Sequence, residues 1–412
     1  MSVALRVILP FALTYLLSYA ARSINAVAGE PISADLGLST ADLGFLTSVY
    51  LAGFALWQLP LGVMMDRYGP RRVEGVVLLL AVVGCVMFAM AGSFAELAAG
   101  RFLMGLGFSM CLMAPFTAYR KWFSPDKLPM VVGFHMAFGA LGSALAGRPA
   151  EMIMMAAGWR TLFLIVAVLT AIGAAAIVFI VPSRREPSHG QTFGRMTKEL
   201  GAVIRSRYLW RIAPMAAMTQ TGFIAIVGLW TGPWLREAAG LSASAAATWL
   251  SITAVGLLVG FIGTGFLAGR AERAGWGLTL LIAVSFGYSA VLLAIIVLPP
   301  SVAIPLWIPY SMLSAGGITS FSIITGAYGP DLAGRVNTTL NCLIFILAFM
   351  VQWLFGVVLG FFPAAEWGAT RLGYQVALGG LLALQLLSYL PLLLRAPRPS
   401  GAGLGAGAAG AP

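Results

Sequence analysis

Four polar side chains, Thr14, Ser18, Arg22 and Asn25, stand four, four and three residues apart inside an otherwise apolar run. That spacing places them on one face of a helix. Hydroxyls, a guanidinium and an amide on one face supply hydrogen bonds and fixed positive charge, the chemistry of holding an anionic group. An Arg at the centre of an apolar helix costs about 2.5–3.5 kcal/mol on membrane-insertion scales, so one is retained where it has a task or a partner. Arg22 and Asn25, with Ser18, are the first candidate ligand contacts. The competing reading has Arg22 reaching outward or pairing with Glu30. Gln58, Gln220 and Tyr310 are further candidate contacts in other apolar runs. Arg148 and Glu151, three apart on a helix, predict an ion pair. Arg101, His135 and the Arg148–Glu151 pair are the candidates for coupling to an ion. Trp230 and Trp234, at the end of their run, fit an interfacial belt.

The elements carrying these residues must be helices in lipid. The chain has 412 residues, 60% of them hydrophobic and 9% charged, too little charge to cover a water-soluble surface. Its apolar runs are roughly 20–25 residues long, the length that selects helices over barrel strands. Turn residues and charges cut the sequence into twelve spans, near 4–28, 41–65, 73–93, 95–118, 129–156, 159–182, 211–235, 244–268, 276–298, 302–326, 335–360 and 372–394. The first run has a signal-like start, but Arg22 and Asn25 inside it predict a retained helix. The net charge of +11 does not point to nucleic acid, because the basic residues sit in short links between spans. Of 25 Lys and Arg residues, nineteen fall on one side if both termini are cytoplasmic, and only Arg160, Arg236 and Arg371 fall on the other. The positive-inside bias therefore predicts cytoplasmic termini in a multi-pass inner-membrane protein. Cys85, Cys111 and Cys342 lie far apart in apolar runs and read as core residues.

The two halves echo each other. Gly37-Leu38-Ser39 recurs as Gly240-Leu241-Ser242, and Gly62-x-x-x-Asp66-Arg67 recurs in degenerate form as Gly265-x-x-x-Gly269-Arg270, both at an offset of 203. The expected organisation is a six-helix bundle over 1–182, a basic link over 183–210, a second bundle over 211–394 and a disordered tail over 395–412. Between spans 2 and 3, Gly62-Val63-Met64-Met65-Asp66-Arg67-Tyr68-Gly69-Pro70-Arg71-Arg72 resembles the signature of the major facilitator superfamily. Pro70 stands where that family often has a basic residue. Arg101-x-x-x-Gly105-x-Gly107 resembles a second, shorter family motif. The span 5 signature of drug–proton antiporters and the Gly-Asn signatures of nitrate porters are not matched.

The resemblance implies an all-α membrane fold of twelve helices in two pseudo-symmetric bundles, with span 1 lining a central cavity. It implies a gate at the motif, carried by Gly62, Asp66, Arg67, Gly69, Arg71 and Arg72. It implies secondary transport of a small solute by alternating access, driven by H+ or Na+, in a monomer surrounded by lipid with no cofactor. No carboxylate is visible at the mid-depth of a span, and three intramembrane arginines outnumber the nearby acids. That excess favours an anionic or zwitterionic solute, such as an organic acid, an amino acid or a peptide. A copper-type metal importer using Met110, Cys111, Met113, His135, Met136, Met154 and Met155 is an alternative, although methionines in an apolar chain are well explained by packing and no metal site is expected. A non-transporting receptor or assembly factor on the same fold would need an interaction domain or long loop. No nucleotide loop and no catalytic constellation appears, so the chain is not expected to be an enzyme.

Overall fold

The computed structural model describes residues 3–124, 127–182, 193–328, 330–363 and 369–393. The expected tail over 395–412 and the first part, 183–192, of the expected basic link over 183–210 lie outside the described residues. The described chain is almost wholly helical. The first half runs α1 (Val3–Ser23), α2 (Asn25–Leu36), α3 (Thr40–Tyr68), α4 (Pro70–Met90), α5 (Phe94–Phe108), α6 (Met113–Trp122), α7 (Leu128–Leu145) and α8 (Arg148–Ile180). A connecting helix, α9 (Phe193–Ile204), leads into α10 (Arg207–Ala225), α11 (Thr231–Pro233), α12 (Ala243–Arg273), α13 (Gly277–Val297), α14 (Pro300–Ala303), α15 (Trp307–Ser314), α16 (Thr319–Thr325), α17 (Pro330–Gly360) and α18 (Arg371–Leu387).

Several of these pieces join end to end into one crossing. The π-helical segments Ile226–Trp230 and Trp234–Ala238 fuse α10 and α11 into a single rod over Arg207–Ala238. Among the described residues, eleven helices are long and apolar enough to cross a membrane, with Met130–Leu145 as a shorter apolar helix besides. Helix α8 holds the end of one crossing and the whole of the next. Gly158 divides them at φ 80°, a left-handed conformation that a side chain would strain. The chain is a multi-pass membrane protein whose crossings match the twelve expected spans. The first crossing, Ala4–Ser23, ends short of the expected 4–28, and a separate helix, α2, follows it to Leu36.

Lipid-facing and inward faces separate along each helix. On α4, Val76, Leu79, Val83 and Met90 are exposed while Val77, Leu78, Ala81, Cys85 and Phe88 are buried. Both faces are apolar, so the hydrophobic effect does not choose between them, and close packing does. Gly142 of α7 shows this, since a Cβ there would overlap the carbonyl of Leu16 on α1. The repeated Gly-Leu-Ser triplets have the same local geometry. Gly37 and Gly240 both take left-handed φ, 64° and 70°. Ser39 and Ser242 then accept from the backbone N–H three residues on, at 3.1 Å and 3.2 Å. An offset of 203 in sequence is thus the same loop built twice.

Candidate functional site

The central cavity is lined from both halves of the chain. Helix α1 contributes Tyr15, Ser18, Tyr19 and Arg22; α3 contributes Phe54; α10 contributes Gln220 and Phe223; α17 contributes Asn341 and Phe345. Ser18 and Arg22 are one helical turn apart, so both point the same way. The Arg22 guanidinium carbon sits 4.3 Å from the centre of the Tyr19 ring, 5.7 Å from Phe54 and 5.6 Å from Phe345. Phe54 and Phe345 stack on each other at 4.1 Å across the two halves. These rings stabilise the cation by their quadrupoles without neutralising it. Among the described residues Arg22 has no carboxylate at ion-pair distance, and its buried Nε has no hydrogen-bond partner. Glu30, its possible partner by sequence, pairs instead with Arg236 of the other half. Gln220 and Asn341 bring amides from the second half, and Asn341 Nδ2 is buried without an acceptor. Among the described lining residues none is acidic, and eight are aromatic.

The remaining sequence candidates lie elsewhere. Asn25 is fully buried and donates to Thr47 Oγ1 at 2.9 Å. Gln58 donates to the Ser109 carbonyl at 3.3 Å. Tyr310 stacks on Tyr288 at 4.3 Å, behind α10. Arg101 is fully buried, donates to the Ala21 carbonyl at 2.9 Å, and lies 5.2 Å from the Phe88 ring and 5.6 Å from Phe163. His135 uses both ring nitrogens, at 3.0 Å from Tyr119 Oη and 3.0 Å from the Cys111 carbonyl. It stacks on Tyr15 at 4.3 Å. With both nitrogens engaged it is not a ready metal ligand, and among the described residues no group of three or more His, Cys, Asp or Glu side chains is placed to hold an ion. Trp230 and Trp234 are buried, not at an interface: Trp230 Nε1 donates to the Gln352 carbonyl at 3.0 Å, and Trp234 meets Trp307 edge to face.

The motif residues occupy one end of the molecule. Gly69 closes α3 with φ 80°, and its N–H donates to the Met65 carbonyl at 2.9 Å. Pro70 then opens α4, where its missing N–H costs nothing. Arg71 Nε donates at 2.9 Å to the Val178 carbonyl at the end of α8. Arg67 lies over the Tyr68 ring at 5.3 Å, and Arg72 is exposed. Gly62 and Asp66 lie on α3, and the Asp66 side chain is outside those described.

At the opposite end the two halves meet closely. Arg236 pairs with Glu30. A Cβ on Gly232 would overlap the Ala26 carbonyl, and one on Gly147 would come within 2.7 Å of the Ala247 carbonyl. The Arg148 N–H donates to Ser251 Oγ at 2.9 Å, while its guanidinium pairs with Glu151. The Arg148–Glu151 pair thus sits beside a seam between α7 and α12. Asp35, near the end of α2, is held below the usual carboxylate range by hydrogen bonding from Arg160, with Trp159 adding to it.

The sequence reading passed over Glu74. It lies near the start of α4, fully buried, with Oε1 2.9 Å from Thr14 Oγ1 at the middle of α1. A carboxylate flanked by Val73 and Gly75 inside an apolar run was the available signal. Its nearness to a helix end hid how deep its oxygens reach.

A family model described as the Major Facilitator Superfamily matches residues 11–352. A probable sulfoacetate transporter from Cupriavidus necator is 31% identical over 153 residues, 37% of this chain and 36% of that protein, so the match spans about a third of that relative's length. A multidrug resistance protein, MdtL, from an Escherichia coli strain is 27% identical over 379 residues, 90% of this chain and 91% of that protein. Among solved structures, a D-xylose–proton symporter superposes with a TM-score of 0.74 at 15% identity, covering 97% of this chain and 99% of that one.

Proposed function

The chain belongs to the Major Facilitator Superfamily, and from that membership we propose that it is a secondary carrier of small organic anions with an apolar body. Arg22 receives a carboxylate or sulfonate. Gln220 and Asn341 complete the polar contacts from the other half, and the surrounding rings hold the rest of the solute. The observation that carries this reading is Arg22: a guanidinium in the central cavity with aromatic neighbours and no carboxylate partner among the described residues. With no acidic side chain among the described lining residues, an ammonium group would meet the charge of Arg22 without a carboxylate to offset it, which favours a monoanion over a zwitterion. The ring-rich lining also favours an apolar body over a polyhydroxylated one, whose hydroxyls would lose water without replacement. The C. necator relative is named for sulfoacetate, itself a small anion.

In this reading bundles 1–182 and 211–394 rock about the cavity, joined by a link over 183–210. Both termini are cytoplasmic, the membrane is a bacterial inner membrane, and the end that is closed faces outward. The protein works as a monomer. The test is transport in proteoliposomes with benzenesulfonate, phenylacetate, gluconate and nitrate. Benzenesulfonate and phenylacetate are the expected solutes. A charge-assisted hydrogen bond contributes about 1.5–3 kcal/mol, so Arg22→Gln lowers apparent affinity by roughly 10- to 150-fold. If that variant carried both solutes as well as the unaltered protein, the assignment of Arg22 would fall.

A further inference from the structure

Glu74 has no role in the cavity, yet it is a fully buried carboxyl group between α1, α4 and α6. The hydrogen bonds around it are few for an ion: Thr14 Oγ1 stands as donor to one oxygen only, and that donor is shared. Thr14 Oγ1 lies 2.9 Å from Glu74 Oε1 and 3.0 Å from the Phe11 carbonyl. The Thr14 hydroxyl has a single proton for these two acceptors. If Thr14 gives that proton to Phe11, the contact with Glu74 is made only by a carboxyl that carries its own proton and donates it. The Cys111 thiol is the other group facing Glu74, and a thiol is a weak donor. Glu74 Oε2 has no hydrogen-bond partner among the described residues.

Among the described residues no cation compensates the group. Arg71, three residues earlier on α4, gives its guanidinium to the Val178 carbonyl of α8. Arg101 of α5 is turned to the Ala21 carbonyl. From α1 the facing group is Thr14, from the α5–α6 turn Cys111, and from α6 Tyr119, with His135 of α7 behind it. From α3 the described side chains near the start of α4 are Met64 and Met65, packed with Val73 and Val77. An uncompensated carboxylate in such a place is strongly disfavoured, and the neutral acid removes the penalty.

We propose that Glu74 is a proton site of the transport cycle, protonated in this conformation and emptied in the alternate one, so that solute movement is coupled to a proton gradient. Thr14, Ser18 and Arg22 share one face of α1, and a solute anion that shifts α1 through Arg22 also shifts the Thr14–Glu74 contact. His135 bridges the space between, since it stacks on the cavity residue Tyr15 and bonds to Tyr119 beside Glu74. One monoanion and one proton cross together, with no net charge moved.

Two measurements test this. The first needs no solute: infrared spectra of the membrane-reconstituted protein at neutral pH, where ordinary carboxyl groups are ionised. A neutral-carboxyl C=O band that shifts in D2O and disappears in Glu74→Gln is expected. Its absence, or its survival in the variant, overturns the proposal. The second uses benzenesulfonate, which stays ionised and does not cross lipid unaided. A pH difference drives accumulation of up to about tenfold per unit for one proton per solute. Glu74→Gln is expected to keep exchange of labelled for unlabelled solute and to lose accumulation; accumulation equal to the unaltered protein overturns the proposal. Should benzenesulfonate not move in either protein, the solute reading fails, and the infrared result decides on Glu74 alone.

Discussion

Replacing Gly232 with Ala tests the closed seam between the halves. A Cβ at this position would overlap the backbone carbonyl of Ala26. A backbone atom cannot rotate away as a side chain can, so the two segments must separate. Overpacking of this kind costs about 1–3 kcal/mol. The cost falls only on the conformation in which Gly232 and Ala26 touch, so it shifts the equilibrium by roughly 5- to 150-fold toward opening at this end. Gly228, one turn earlier on the same rod, is the matched control, because a Cβ there meets nothing within 4 Å. Val27, which lines the vestibule beside the seam, is changed to Cys as the reporter. Its labelling by a membrane-impermeant maleimide added outside is expected to accelerate in Gly232→Ala and to stay near the parent rate in Gly228→Ala. Equal rates in the two variants would refute the reasoning, since a general effect of Ala on helix stability would act at both positions.

Three further outcomes follow from the same contacts. The Glu30–Arg236 pair joins the halves but its side chains are 34% and 35% exposed, so after solvent screening it contributes only about 0.5 kcal/mol; Glu30→Gln and Arg236→Gln should each raise Val27→Cys labelling about twofold, and the double variant should add nothing to either, whereas additive effects would show the charges act separately. Arg101→Ala removes a buried charged donor and its ring contacts, an expected loss of about 2–4 kcal/mol; detergent melting should fall clearly, and an unchanged Tm would dismiss the structural role. The hydrogen bond from Arg160 holds the Asp35 carboxyl below its ordinary range, so its stabilising effect is present above the ordinary aspartate pKa and is lost as pH falls through the lowered value. The Tm difference between the unaltered protein and Asp35→Asn should therefore shrink as the solution is acidified, and a difference independent of pH would contradict that sign.

The pattern of residues carried much of the fold. Apolar runs of bilayer length can satisfy their backbones only within themselves, so the number and order of crossings are local properties. Gly37 and Gly240 were legible as a repeated pair, and both take positive φ at a helix end. Ser18 and Arg22 were also legible, since a helix turn fixes which side chains share a face. Asn25 continues that pattern in sequence, but Thr47 of α3 takes up its amide, and no helical period reveals what a neighbouring helix presents. Trp230 looked interfacial by its position near a span end, but the π-helical turns carry the rod on and bury it.

By itself, the amino-acid sequence determined that this protein crosses a membrane many times, which way its helices break, and that a cationic face lies on the first of them. These follow from hydrogen bonding within one segment and from the period of one helix. Only the tertiary structure decided that Arg22 has no carboxylate partner among the described residues while Glu30 is drawn to Arg236, and that Glu74 reaches Thr14 across 60 residues of chain. Those pairings depend on how helices distant in sequence pack, and in lipid that packing is set by the close fit of surfaces rather than by the apolar pattern of any one of them.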